Sequence, residues 1–131
     1  MGDRHRLPPD RPWSDSAWGY SRAVRVGRQI EVSGTTALTD AGVPIAPGDA
    51  HEQTLVVLGV IVKALRELGA EPEDVVRTRA FVTNIADFPD VGRAHAKFFG
   101  DIRPASTCVA VTALVHPELC VEIEATAILA G

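Results

Sequence analysis

The chain has 131 residues, 46% of them hydrophobic and 23% charged, which fits one soluble globular domain and excludes a disordered or low-complexity chain. A formal net charge of −4 with no long basic run lacks the electrostatic footprint of a nucleic-acid binder, so no nucleic acid is expected as a partner. The most apolar stretch, Leu55 to Leu65, is interrupted by Lys63 and is too short to cross a bilayer, so no membrane span is expected.

Residues 1–18, rich in Pro, Arg and Asp, follow neither hydrophobic period and have no apolar centre of the kind a secretory signal needs. They read as an irregular arm ahead of a single domain over 19–131. β-Branched residues alternate with polar ones from Tyr20 to Val26 and from Gln29 to Ser33, and Gly27-Arg28 between them suits a two-residue hairpin. Thr35 to Gly48 is turn-forming, with a short edge strand at Val43 to Ala46 as an option. Asp49 and Glu52 form a capping-box pattern, and Leu55, Leu58, Ile61, Val62, Leu65 and Leu68 recur at helical spacing until Gly69 stops the helix.

Val75 to Thr83 reads as a strand, with Val76, Thr78, Ala80 and Val82 on one face and Val75, Arg77, Arg79 and Phe81 on the other. A second helix is expected from an Asp87 N-cap to Gly100, carrying Phe88, Val91, Ala94, His95 and Phe98 inward. Thr107 to Leu114 and Val121 to Leu129 read as two strands of a hairpin turning near His116 to Leu119. Two helices among runs of strands predict an α+β fold with both helices on one face of a mixed sheet. The other face is then polar or covered by another copy of the chain, which points to an oligomer.

The residues from Phe98 to Gly131, with Pro104-Ala105 leading into a strand and VEIEA at 121–125, resemble the C-terminal signature of the Rid (YjgF, reactive intermediate deaminase) family. The resemblance extends upstream through GYSRAVRVG at 19–27 and VSG at 32–34. It implies a chorismate-mutase-like fold, a homotrimer with ligand clefts at subunit boundaries, and hydrolysis of enamines or imines without metal or cofactor. It further implies Glu122 as the group that handles water, with Tyr20 lining the cleft and Gly34 in the VSG turn. Aligned on Pro104-Ala105, Ser106 stands where the deaminases carry a carboxylate-gripping arginine, followed by Thr107 and then Cys108 at the family's cysteine position. Losing such a charged hydrogen-bonded pair costs on the order of 10- to 1000-fold. The implied substrate is therefore non-standard: neutral or hydroxylated, or charged and held by Arg22 or Arg103.

Blander readings stand beside these. Glu122 and Glu124 together fit a solvated edge, and the base-rate reading of Glu124 is a surface ion pair. Cys108 reads more readily as a small buried hydrophobe than as a nucleophile, and a bridge to Cys120 is not expected from their separation. His95 reads as a core histidine bonded to backbone. The absence of a Cys-x-x-Cys pair or a zinc-like His spacing predicts no metal. The expectation is a cytoplasmic, cofactor-free, small-molecule-binding homotrimer, either a deaminase-type hydrolase or a non-catalytic metabolite-binding or partner-regulating protein. An endoribonuclease is the weakest alternative for so acidic a chain.

Overall fold

The computed structural model describes residues 3–11 and 18–131. In chain order it contains strands β1 (Arg4–Leu7), β2 (Ala23–Val26) and β3 (Gln29–Thr36), helix α1 (Ala50–Glu67) and strand β4 (Val75–Val82). Helix α2 (Phe88–Phe99) and strands β5 (Ala105–Ala110) and β6 (Val121–Ile128) complete it. The strands form one sheet in the order β1-β2-β3-β6-β4-β5. Every pairing is antiparallel except β4 with β5. This is the α+β layout that the spacing predicts.

α1 forms where its sequence says it should. The Asp49 carboxylate accepts from the Glu52 amide at 3.0 Å. At the other end Gly69 takes a φ of 92°, and the Gly69 and Ala70 amides return to the Arg66 and Leu65 carbonyls, which closes the last turn. Leu58, Ile61 and Leu65 are fully buried, each contributing about 1.5–3 kcal/mol of apolar burial. α1 packs on α2, β3 and β6. Along β6, Val121, Ile123, Ala125 and Ala127 are buried beneath the helices while Glu122, Glu124 and Thr126 are half exposed on the opposite side, which gives the sheet a covered and an open face.

Several expectations are corrected. Arg4–Leu7 lie within the arm expected to be irregular, yet they pair with β2; the remainder of that expectation, at 1–2 and 12–17, falls outside the described residues. β2 begins at Ala23 rather than Tyr20, and β3 runs on to Thr36. Val43–Ala46 contributes only a single bridge, Leu38 to Pro44, since proline has no amide to extend a ladder. A register shift between Val75 and Arg77 turns Val75 inward and leaves Val76 42% exposed, so the predicted face assignment holds only from Arg77 onward. α2 is entered through a short 3-10 turn capped by Asn84, whose side chain accepts from the Ala86 amide at 3.0 Å. Asp87 is therefore already coiled and makes no side-chain cap bond. The helix's inward face also shifts, leaving Phe88 exposed and Phe99 buried.

The largest correction concerns the C-terminal pair. β5 and β6 are not a hairpin: β5 lies parallel beside β4 at the sheet edge, and β6 enters between β3 and β4. α2 supplies the crossover that a parallel pair requires. Both strands carry the same alternating β-branched pattern, and alternation does not say which strand a given one will pair with.

Candidate active site

The site starts from an irregularity in β3. Between Val32 and Thr35 the register to β6 slips, so Ser33-Gly34 forms a bulge whose carbonyls the ladder leaves free. Arg22, only 4% exposed, fills that gap: its Nη2 donates to the Ser33 carbonyl at 3.1 Å and the Gly34 carbonyl at 2.8 Å. Directly across the pair, Thr36 faces Glu122 of β6. The Glu122 carboxyl lies so close over Gly34 that a Cβ there would collide with its Oε2 and stand 3.1 Å from its Cδ. Gly34 thus leaves room for the Glu122 carboxyl against bare backbone, and a side chain there would displace that carboxyl.

Around this floor a cavity of about 510 Å³ is lined by Trp18, Tyr20, Ser33, Gly34, Thr36, Val115 and Glu122. Trp18 and Tyr20 meet edge to face, with ring centroids 6.4 Å apart. Burial pushes the Glu122 carboxyl above the usual glutamate range; Glu124 adds to the rise and Arg22 opposes it. Glu124 itself pairs with Arg79 at 3.5 Å, as expected of a surface ion pair. A carboxyl with a raised pKa, set in a cavity beside aromatic rings, is suited to accept a proton from water and to return it.

The predicted site residues divide into two groups. Tyr20, Gly34 and Glu122 come together in one cavity. Ser106, Thr107 and Cys108 lie on β5, separated from β6 by the whole of β4, and do not reach that cavity within one chain. Ser106 Oγ is 2.9 Å from Thr78 Oγ1, which is 2.8 Å from His95 Nε2, a hydroxyl-hydroxyl-imidazole chain on the helix side of the sheet. His95 is thus an inward histidine, but its partner is a threonine rather than backbone, and burial pushes its pKa down. Thr107 faces the other way and accepts from Arg77 Nη2 at 2.7 Å. Cys108 packs against the core, and burial pushes its thiol up, which disfavours the thiolate a nucleophile needs. Cys108 and Cys120 are both free.

Neither arginine considered as a substitute clamp is offered to the cavity. The Nη donors of Arg22 turn to backbone carbonyls and, at 3.5 Å, to Asp10, and its Nε is buried with no hydrogen-bond partner among the described residues. Arg103 is exposed with a φ of 56°, and its Nε donates to the Gly100 carbonyl.

The supports of the site were harder to read. Arg11, 6% exposed, donates to the Thr36 and Leu38 carbonyls at 2.9 and 3.1 Å, and Asp10 lies within ion-pair distance of both Arg11 and Arg22. The arm is therefore part of the site's scaffold. Gln53, fully buried on α1, donates to the Ala46 and Glu118 carbonyls and accepts from the Cys120 amide at 2.7 Å. It fastens the chain that enters β6 two residues before Glu122. A glutamine on the buried face of an otherwise apolar helix was the available signal. Among the described residues no group of three His, Cys, Asp or Glu side chains is placed to hold a metal ion, and no helix is long and apolar enough to cross a membrane.

A mixed six-stranded sheet with two helices and a carboxyl-floored cavity on a β-bulge defines the class of protein: a small α+β protein with an open cleft. The family model described as Endoribonuclease L-PSP matches residues 11–129, and the chain belongs to that family, the YjgF/Rid family. It is similar to a crystallised Mycobacterium tuberculosis protein described as a member of the highly conserved YjgF/YER057c/UK114 family, at 44% identity and a TM-score of 0.85 over 97% of this chain and 100% of that one. An uncharacterised Streptomyces coelicolor protein is 36% identical over 93% of this chain and 90% of its own length. The 3-aminoacrylate deaminase RutC of Acinetobacter baylyi is 33% identical over 82% of this chain and 85% of its own.

Proposed function

We propose that this protein binds a small metabolite in a cleft floored by Glu122 and hydrolyses an imine or enamine there. The observation that carries the reading is the Glu122 carboxyl resting on the Gly34 bulge inside an aromatic-walled cavity, with its pKa raised. In the step envisaged, Glu122 takes a proton from water as the oxygen bonds to the imine carbon. It passes that proton to the nitrogen, giving a carbinolamine, then takes the new hydroxyl's proton and delivers it to the nitrogen as C=O forms and the C–N bond breaks. Imine and water thus become a carbonyl compound and ammonia, with no redox change and no cofactor. The similarity to a 3-aminoacrylate deaminase supports this chemistry.

The cleft is proposed to be completed by a neighbouring copy in a cytoplasmic homotrimer. β5 is an edge strand with most of its residues exposed, and the edge of one copy set against the cavity of the next would bring Ser106, Thr107 and Cys108 to Tyr20, Gly34 and Glu122. A second reading, binding without turnover, is favoured by Ser106, which offers only a hydroxyl at the position where the resemblance, aligned on Pro104-Ala105, implies an arginine in the deaminases. The endoribonuclease description of the family model draws no support from a chain of net charge −4.

The test is ammonia release from 2-aminoacrylate and from imines lacking a carboxylate, each generated in situ, with wild type and Glu122→Gln. The variant is expected to lose about 100-fold or more, and the wild-type rate to fall as pH drops through the raised pKa of Glu122. The fold, by contrast, survives the change. A carboxyl whose pKa is raised on folding binds its proton more tightly in the folded chain, so its contribution to stability is present at low pH and lost as pH rises through the folded pKa. Glutamine, always neutral, retains that contribution at neutral pH. Wild-type turnover unaffected by Glu122→Gln rules out the hydrolase reading; ligand binding without turnover selects the second one.

A further inference from the structure

The residues lining the cavity carry one formal charge, and it is negative: Glu122, among Trp18, Tyr20, Ser33, Gly34, Thr36 and Val115. Two arginines lie close by without lining the cavity. Arg22 offsets part of the Glu122 charge through space, but it is buried with its Nη groups on two backbone carbonyls and Asp10, and Arg79 is paired with Glu124. A carboxylate entering this cavity would meet a second carboxylate with no Lys or Arg among the described lining residues to grip it, an arrangement that favours protonation of one of the two.

A cation meets the opposite conditions. The half-buried Glu122 is a strong partner for positive charge because its surroundings screen it less than water would. Trp18, 70% exposed in the single chain, and Tyr20 line the cavity, and aromatic rings stabilise a nearby ammonium or iminium group. Ser33 and Thr36 add small polar groups at the floor.

From this geometry we infer that the cleft selects ligands carrying a positive charge and no carboxylate, the class of protonated amines and iminium ions, and discriminates against amino-acid-derived anions. The inference rests on the cleft reading given above and narrows it. It also accords with the hydrolysis proposed there, because an iminium carbon is the form of an imine most open to attack by water.

Three probes of nearly equal shape isolate the charge: benzylamine, benzyl alcohol and phenylacetate, positive, neutral and negative. They are titrated into the intact protein at mildly alkaline pH, where Glu122 is ionised, and followed through the NMR signals of Trp18 and Glu122. Benzylamine is expected to bind at least tenfold more tightly than phenylacetate, with benzyl alcohol between them, and Glu122→Gln is expected to bring the three together. Phenylacetate binding as well as or better than benzylamine overturns this inference while leaving the cleft reading intact. No probe moving either signal overturns both. Turnover plays no part in the measurement, so a protein that binds by charge and hydrolyses nothing fails only the hydrolase reading.

Discussion

The two halves of the predicted site met different fates because they sit on different kinds of strand. β6 is central, flanked by β3 and β4, and its neighbours fix every side chain: Glu122 faces Thr36 on one side and Phe81 on the other. β5 has a partner only on one side, and Ser106 and Thr107 form their hydrogen bonds back toward β4. A central strand can complete a cavity inside one chain. An edge strand exposes its residues but leaves open what they face, so the Glu122 half lines a cavity within one chain and the Ser106 half remains an exposed edge.

That contrast is tested most severely at Gly34. If the cavity depends on the carboxyl lying against a bare Cα, Gly34→Ala must displace Glu122, because the new methyl would overlap Oε2. The variant is expected to lose on the order of 100-fold in turnover, about 2.7 kcal/mol of the interaction with Glu122, and most of the discrimination between benzylamine and phenylacetate. Its fold should persist, since only a side chain has to move. Wild-type selectivity in this variant would show that Glu122 does not work from where it rests.

Arg22 gives a smaller and more diagnostic effect. Its charge lowers the Glu122 pKa against burial and Glu124, and its Nη2 holds the bulge carbonyls. Arg22→Gln removes the charge while its amide can retain one of those bonds, at a cost of about 1–3 kcal/mol in stability. The Glu122 midpoint should move upward, carrying the acidic limb of any pH-rate profile with it. A purely structural arginine would change the melting temperature and leave the midpoint in place, so a carboxyl titration by 13C NMR separates the two roles.

Much of this was legible in the sequence because local rules agree with the fold. The α1 cap and stop, the Gly27 hairpin and the in-out alternation of β6 are each fixed by residues within a few positions of one another. The bulge at Ser33-Gly34 was not, because it arises from a slip against β6 and from an arginine on a different segment, neither of which leaves a period in the chain. Arg11 and Asp10 were overlooked for a related reason: charged residues near proline read as solvated unless something buries them. Here Arg11 is buried on the Thr36 and Leu38 carbonyls, with the exposed Asp10 at ion-pair distance beside it. The position of β5 was hidden because pairing choice is a property of the whole sheet.

The smallest expected effect bears on the open question of the edge. Within one chain Ser106 is exposed, and its hydroxyl meets only Thr78; Thr78 keeps His95 if that contact is lost. Ser106→Ala should therefore cost less than about 1 kcal/mol in thermal unfolding. Its influence on ligand binding depends entirely on what the edge faces. If a neighbouring copy presents β5 to the Glu122 cavity, removing the hydroxyl weakens benzyl alcohol by a few-fold, and Ser106→Arg, which supplies a forked donor, reverses the order of benzylamine and phenylacetate. If the edge faces solvent, both variants bind the three probes as wild type does, and the cleft is the property of a single chain.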